Sequence, residues 1–403
     1  MPKRLLLFAS TTGYQIRVFA DAARRLGMDL TLATDRCHVL DDPWGDRAVA
    51  VKFDRIAQSV ETLRGFEFDG VAAVGDRPAL LAAEAAAALG IPFHPPAAAC
   101  ACHDKYVARQ LYQAAGMQVP WFTRAEFTGD ARALARSVPY PCVLKPLGLS
   151  ASRGVIRAND EAEFVAAFRR IERLGEPRLQ VESYIPGREF AIEGLVTASE
   201  FQPIAIFDKP DPLEGPFFEE TIYVTPSREP ESVQRALVET AAQAVRALGL
   251  SHGPVHAELR YNAGGAWMLE TAARPIGGLC AKALRFSGGV PYEELILQHA
   301  VGEDVSGAPL DGPSSGVMMI PIPKAGVYES VDGLEEAASV SRIEEVIVTA
   351  QPGQELIPLP EGASYLGFIF ARGESADRVE AALRQAHAKL RFQIATALVT
   401  FRP

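Results

Sequence analysis

Two glutamates flanking one short turn, Glu258 and Glu270 in VHAELRYNAGGAWMLETAARP, are the residues of this chain whose type and spacing speak most directly of chemistry. With Ala263, Gly264 and Gly265 as a three-residue loop, Asn262 pairs with Ala266 and Glu258 comes to lie opposite Glu270 on one face of a hairpin. Residues paired that way have Cβ atoms roughly 5 Å apart. Two ionised carboxylates so close repel, and in a semi-buried sheet they need a shared proton or a cation between them. A hard divalent ion suits such oxygen ligands, and magnesium keeps coordination positions open for phosphate oxygens. The pair therefore points to a metal-bound nucleotide. His256 and Arg260 share the strand face with Glu258, and Arg274 follows in a Pro/Gly-rich turn, so the polar groups converge. The argument depends on register, because a slip of one residue would put the two glutamates on opposite faces.

A second set of candidates precedes the hairpin. Lys145 ends the apolar strand YPCVLKP, immediately before the small-residue loop PLGLSASRG. Such a loop offers backbone N–H groups to phosphate oxygens while a lysine supplies point charge, although the spacing is not that of the G-x-x-x-x-G-K-[ST] phosphate loop. Further on, LQVESYIPGREFAIEG places Glu182 at a strand end, then a short crossing segment from Ser183 to Ile185, then Glu189. A segment of this kind presents backbone donors and acceptors to an adenine edge and leaves a carboxylate for ribose hydroxyls.

These side chains need a scaffold, and the pattern supplies one. RLLLFASTTG reads as a buried strand ending in a small-residue turn, followed by a helix from Gln15 to Leu26 and a strand from Asp29 to Thr34. Strands at Ala48–Val51 and Gly70–Val74 alternate with helices, the last from Pro78 to Leu89, and this alternation predicts a parallel sheet covered on both faces. Asp104 caps a helix to Ala115. Beyond Pro120 come the strand Cys142–Lys145, the strand Gly154–Arg157, the helix Glu161–Arg173 and the strand Arg178–Val181, a small α+β lobe. The strands Phe190–Thr197 and Phe201–Phe207, the helix Glu231–Leu248 and the acidic hairpin build a larger sheet. Residues from Gly316 onward carry their own strands and a helix, Ala376–Lys389.

Bulk properties narrow the function. At 403 residues, 48% hydrophobic and 22% charged, the chain is long enough for two to four compact units. A formal charge of −10 argues against nucleic acid as a partner. No apolar run approaches the length of a membrane span, and Leu5–Ala9 is too short for a secretory core, so a cytoplasmic protein is expected. Five cysteines scattered over the chain, at 37, 100, 102, 142 and 280, do not form a disulfide framework and read as small buried thiols.

Taken in order, these parts resemble the ATP-grasp superfamily over nearly the whole chain: a nucleotide-fold N-terminal domain, HDKYVARQLYQAAGMQVP, VLKP with its loop, VESYIPGREF and the paired-glutamate hairpin. The resemblance implies a multidomain α/β and α+β fold. Residues 1–96 would form a Rossmann-like parallel-sheet domain, 97–119 a linker helix, 120–189 and 190–305 the small and large lobes of a two-lobed ATP-binding region, and 306–403 a C-terminal lobe. It implies ATP between the lobes, with Lys105 and Lys145 on the phosphates and residues 150 to 154, including Ser150, Ser152 and Gly154, as a mobile lid. Glu182 and the backbone of Ser183, Tyr184 and Ile185 would read adenine, Glu189 would hold the ribose, and Glu258 and Glu270 would carry magnesium, with manganese as the substitute.

One position departs from the common pattern. Most ATP-grasp enzymes place an asparagine two residues after the second metal glutamate, where this chain has Ala272. The form ETAAR instead resembles bacterial L-amino-acid ligases, which make dipeptides and lack that asparagine. In that group the arginine matching Arg274 faces the acyl phosphate and the substrate carboxylate, and the histidine matching His256 lies by the substrate. An aromatic residue that the group can place a little beyond the arginine is replaced here by Gly278. The implied activity is an ATP-dependent carboxylate–amine ligase that joins small carboxylate and amine substrates, amino acids foremost. It forms an amide through an acyl phosphate, with Arg274, Lys145 and His256 as catalytic residues, in a dimer built through the N- or C-terminal lobe. Two other readings stay open: a purine-pathway or carboxylase-like ATP-grasp ligase acting on a small acid, and a nucleotide-binding regulator without catalysis, for which Ala272 is the argument.

The remaining charged and aromatic residues read as structural. The segment FDKPDPLEGPFFEETIYVTPS also resembles one that the ligase branch places in a loop near the acceptor site, but its Lys209 and Glu220 read as surface charges, which charges in a long loop usually are. Arg169, Arg170 and Glu172 form an ordinary solvated helix face. His38, His94, His299 and His387 are surface or packed histidines, and Trp44 and Trp121 pack at domain edges.

Overall fold

The apolar run at Leu5–Ala9 is buried at every position because the strand it forms is covered on both sides. In the computed structural model, which describes residues 1–10, 15–35, 47–307 and 310–396, Arg4–Ala9 lies between Asp29–Thr34 and Gly70–Val74 in a parallel four-stranded sheet completed by Ala48–Ala50. Leu6 and Phe8 face one core and Leu5 and Leu7 the other. Such two-sided burial is what a parallel sheet flanked by helices requires of its central strand. The turn expected after the first strand, together with Cys37, His38 and Trp44, lies outside the described residues.

The small lobe is a four-stranded antiparallel sheet in the order Phe122–Glu126, Arg178–Ser183, Cys142–Pro146 and Ile156–Ala158, packed on the helix Glu161–Glu172 through Phe164, Phe168 and Ile171. The large sheet has eight strands in the order Gly265–Ala272, Gly253–Asn262, Arg188–Thr197, Glu200–Lys209, Ile222–Thr225, Ser314–Ile320, Gly367–Gly373 and Ile343–Val348. One face of its first strands packs on the helix Glu231–Leu248 and on the N-terminal domain. The last three strands come from the C-terminal third of the chain, so that segment continues the central sheet rather than standing apart. A three-stranded sheet, Glu355–Leu356, Gly326–Asp332 and Arg391–Ala395, covers its end. No described helix is long and apolar enough to cross a membrane. Of the four described cysteines, Cys102, Cys142 and Cys280 are buried, Cys100 is exposed, and none is paired.

The hairpin differs instructively from the sequence expectation. Asn262 pairs with Gly265, not Ala266, so the loop has two residues, Ala263 and Gly264. That register alone would have set Glu258 opposite Leu269, one residue short of Glu270. A bulge restores the match: Leu259 pairs with Met268 and Glu258 with Glu270, leaving Leu269 as the extra residue. The expected carboxylate pair is present, reached by two compensating differences of one residue. A bulge also turns adjacent side chains toward the same side, which is why Leu269 and Glu270 both line the central pocket.

Candidate active site

Three rows of cross-strand neighbours on one face of the large sheet carry the charged groups. The first row runs Lys209, Glu189, Arg260; the second Phe207, Ala191, Glu258, Glu270; the third Ala205, Glu193, His256, Ala272. Alternation along each strand keeps residues two apart on one face, so the three rows stack into a single polar patch.

In the first row Lys209 Nζ lies 2.9 Å from Glu189 Oε1, contacts Glu220 Oε1 and stands 3.6 Å from Glu258 Oε1. Arg260 Nε donates to Glu189 Oε2 at 2.8 Å. Lys209 is 6% exposed, which corrects the sequence reading: it and Glu220 are not surface charges but the core of the patch. Burial alone would lower the proton affinity of Lys209, and the surrounding Glu189, Glu220 and Glu258 more than reverse this, so the ammonium is a permanent cation. In the third row His256 bridges two carboxylates, Nδ1 to Glu193 Oε1 at 2.6 Å and Nε2 to Glu258 Oε1 at 3.1 Å. Burial works against its charge, but Glu193 and Glu258 raise its pKa to about 9. Glu258 is itself held well below the usual carboxylate range, burial being outweighed by Lys209, His256 and Arg274.

A pocket between the two lobes opens over this patch. Of the residues singled out from sequence, Lys105, Lys145, Ser150, Ser152, Glu182, Tyr184, Ile185, Glu189, His256, Glu258, Glu270 and Arg274 line it. Gly154 and Ser183 are not among its lining residues. Gly154 instead closes the loop onto the sheet: its φ is +73°, and a Cβ there would lie 2.6 Å from Pro146 and 2.8 Å from Leu174. Ser183 belongs to the end of its strand, with its N–H bonded to Trp121 O at 2.8 Å. The neighbouring hinge groups are also engaged, Tyr184 N–H with Pro141 O and Ile185 O with Arg260 Nη1. Val143, Val155, Phe218 and Leu269 supply apolar walls that the sequence reading did not single out. Val143 carried a signal, since it stands two residues before Lys145 on the same strand face.

Glu182 is more deeply engaged than a ligand-reading side chain needs to be. It is 1% exposed, with Oε1 contacted by Lys145 and Oε2 accepting from Arg109 Nη2 at 2.9 Å and Gln180 Nε2 at 2.7 Å. Burial raises its proton affinity, and Arg109 and Lys145 more than offset this, bringing the carboxyl down to about 2. Arg109, absent from the sequence reading, also donates to Met268 O at 2.6 Å and so ties the linker helix to the acidic hairpin.

The loop over the pocket is held from two sides. Lys105 Nζ donates to Leu149 O at 2.6 Å and lies 3.5 Å from Glu270 Oε2. From the C-terminal segment, Pro360 O accepts from Gly154 N–H at 2.8 Å, Glu361 O accepts from Arg153 Nε at 2.8 Å, and the Glu361 carboxylate pairs through both oxygens with Arg170. Arg170, on the partly exposed face of its helix, thus has a partner in the C-terminal segment. Within the loop Ala151 and Ser152 both have φ of 55°, a conformation that non-glycine residues hold only under constraint and that clusters at functional loops.

A second cavity of about 260 Å³ adjoins the first and shares Ser150, Ala151, Glu220, His256, Glu258 and Arg274 with it. Its size falls below the ~300–1,000 Å³ of pockets that take drug-sized ligands. Arg274 projects from one side and is gripped by Asp76 of the N-terminal domain, Nε to Oδ1 at 2.7 Å and Nη2 to Oδ2 at 3.3 Å. Burial disfavours the Asp76 carboxylate, yet Arg274 holds its pKa at about 2. Asp76 follows the Gly70–Val74 strand at the carboxyl end of a parallel sheet, a place where ligand sites recur, and that position was its signal in the sequence.

The residues fit a divalent ion in part. Glu258 and Glu270 are directly paired across the hairpin, and their contacts with Lys209, His256 and Lys105 engage only Oε1 of the first and Oε2 of the second. A second carboxylate cluster, Glu189, Glu220 and Glu258, has ligand atoms within 4.8 Å of one another. Lys209, with Arg260 at Glu189 and His256 at Glu258, already supplies positive charge to that cluster, which leaves the Glu258–Glu270 side as the better place for an ion.

Two stretches of the chain match known domain families. Residues 138–283 match the model of the ATP-grasp domain, and residues 318–395 match that of the L-amino acid ligase C-terminal domain 2. The crystal structure of an L-amino acid ligase from Bacillus licheniformis superposes with a TM-score of 0.82 at 27% identity, covering 98% of this chain and 99% of that one. An alanine–anticapsin ligase from Bacillus subtilis is 28% identical over 218 residues, 48% of this chain and 46% of the relative. A D-alanine–D-alanine ligase from Shouchella clausii is 31% identical over 157 residues, 36% of this chain and 42% of the relative. The chain thus spans about half the length of the alanine–anticapsin ligases it matches.

Proposed function

We propose that this chain, which carries the ATP-grasp domain and the C-terminal domain of L-amino acid ligases, is an ATP-dependent carboxylate–amine ligase that joins amino acids into a dipeptide-like product. The observation that carries this reading is the junction of the two cavities, where Arg274, Glu258 and His256 line both. A nucleotide-binding regulator needs the first cavity only. A ligase needs a second compartment that opens onto the phosphate end of the first.

The donor carboxylate oxygen attacks the γ-phosphorus of ATP, the bond to the bridging oxygen breaks, and ADP leaves. The amine nitrogen of the acceptor then attacks the acyl carbon, phosphate departs, and the nitrogen gives up a proton. No side-chain nucleophile takes part, so the work is positioning and charge compensation. Arg274, fixed by Asp76, offsets negative charge on the transferring group and on the acyl phosphate. Lys105 and Lys145 lie on the phosphate side, and the loop from Ser150 to Gly154 keeps water from the acyl phosphate. Glu258 and Glu270 would hold a magnesium ion, which would supply positive charge to the phosphates. Ala272 gives that ion no ligand, and Lys209 supplies a fixed positive charge on the same sheet face.

The test is release of ADP and phosphate with magnesium and ATP across single and paired amino acids and small acids, comparing the parent protein with Glu270→Ala. Release that requires two amino acids and is lost in the variant supports the ligase. ATP binding with no release from any combination would reject it in favour of the regulator.

A further inference from the structure

The second cavity has two unlike halves. The half shared with the nucleotide pocket carries Arg274, His256, Glu258 and Glu220; the other is walled by Tyr223, Ile276, Cys280, Met319 and Tyr365. Tyr223, Ile276, Cys280 and Met319 are each 3% exposed or less. Met319 and Tyr365 come from the C-terminal third of the chain, so that segment completes the wall as well as holding the loop over the nucleotide pocket. Behind Gly278, Phe368 stands where a side chain at 278 would go, 3.0 Å from its would-be Cβ.

Charge is distributed just as unevenly. Among the described lining residues the basic groups are Arg274 and His256, both on the shared side. Each is already paired, Arg274 with Asp76 and His256 with Glu193 and Glu258. The acidic groups Asp76 and Glu220 face the same space, and the contact of Glu220 with Lys209 engages Oε1.

We infer that the acid activated by this protein is an α-amino acid with an uncharged, apolar side chain: its carboxylate lies at Arg274, its ammonium at Glu220, and its side chain against Ile276, Cys280, Met319 and Tyr365. This rests on the ligase reading and names the donor within it. An aspartate or glutamate donor would bring a second carboxylate into a wall without a free cation and beside Asp76, and a buried unpaired charge is strongly disfavoured. A simple carboxylic acid of the same shape would forgo the contact at Glu220, which would then keep Lys209 as its charge partner.

The donor becomes the N-terminal residue of the product, so tandem mass spectrometry of dipeptides made with alanine as a constant acceptor identifies it. With the parent protein, leucine, methionine and isoleucine donors should exceed aspartate and glutamate by about 100-fold or more in kcat/KM, and leucine should exceed 4-methylpentanoate by roughly tenfold, the loss of one charge-assisted contact on a carboxylate that Lys209 still pairs. Met319→Ala should raise the ratio of phenylalanine to leucine as donor by roughly tenfold, with the acceptor preference unchanged. Acidic donors used as well as leucine, or equal use of 4-methylpentanoate, would overturn the inference while leaving the ligase intact. An unchanged donor ratio in Met319→Ala would do the same. No product and no ADP release from any pair would instead reject the ligase reading itself.

Discussion

Replacing Arg109 by methionine removes one of the two cations that keep Glu182 ionised inside the protein. Arg109 is 2% exposed, and its guanidinium reaches Glu182 Oε2 at 2.9 Å, Met268 O at 2.6 Å and Leu269 O at 3.3 Å. The Glu182 carboxyl falls from the ordinary 4.5 to about 2, and at about 1.36 kcal/mol per pH unit that difference corresponds to about 3 kcal/mol of folding stability. Because the folded pKa lies below the unfolded one, this contribution is complete above pH 4.5 and disappears as the pH falls through 2. Loss of Arg109 should forfeit about half of it, and the carbonyl oxygen of buried Met268 left without its donor adds about 1–3 kcal/mol. The expected cost at pH 7 is therefore about 3–4 kcal/mol, in line with the broken buried ion pairs of other proteins. Urea denaturation of the parent, Arg109→Met, and Arg109→Met with Glu182→Gln tests this. The double variant should recover part of the loss, since a neutral amide does not need the cation, and the gap between parent and single variant should narrow toward pH 2. A single-variant cost below about 1 kcal/mol, or a double variant no more stable than the single one, would refute the reasoning.

Other consequences follow from the same contacts. Lys209→Met leaves Glu189, Glu220 and Glu258 facing one another and should cost about 3–5 kcal/mol. Their ligand atoms lie within 4.8 Å, so manganese should raise the melting temperature of this variant more than that of the parent, and equal shifts would contradict the assignment. Glu361→Gln loosens the hold on the loop through Arg170. With both side chains more than a third exposed the pair contributes no more than about 1 kcal/mol, so phosphate released per amide formed should rise up to about fivefold, read by coupled phosphate and product assays. His94 is buried, which lowers its pKa from 6.5 to about 4. The unfolded chain thus takes up a proton between those values that the folded one does not, and stability should fall by up to about 3 kcal/mol from pH 6.5 to 4. Urea midpoints in His94→Gln should show a flatter slope across that window.

Much of this architecture was legible because it is written in local patterns. The continuous apolar strand at Leu5–Ala9, the Asp104 helix cap, whose side chain accepts from Tyr106 and Val107 N–H, and the alternation around Glu258 depend on residues near one another in sequence. So does the order of segments that identifies the ATP-grasp arrangement. The carboxylate pair was legible too, although its route was not. A two-residue turn and a bulge at Leu269 give the same facing pair as a three-residue turn without a bulge, and turn composition alone does not choose between them.

What the chain's order could not disclose is which charges meet. Lys209 looks like any loop lysine until strand pairing sets it opposite Glu189 and folds Glu220 and Glu258 around it. Arg274 and Asp76 lie 198 residues apart, and nothing in either segment specifies the other. The same holds for Glu361, which reaches Arg170 across 191 residues to hold the loop, and for Met319 and Tyr365, which close a cavity begun by the N-terminal domain. Sequence by itself determined the elements, their faces and the family pattern, because those follow from backbone preference and the periodicity of apolar residues. The tertiary structure alone decided the ion-pair partners, the hold on the loop and the walls of the second cavity, because electrostatic and packing free energies depend on distance in space and on burial, neither of which separation along the chain records.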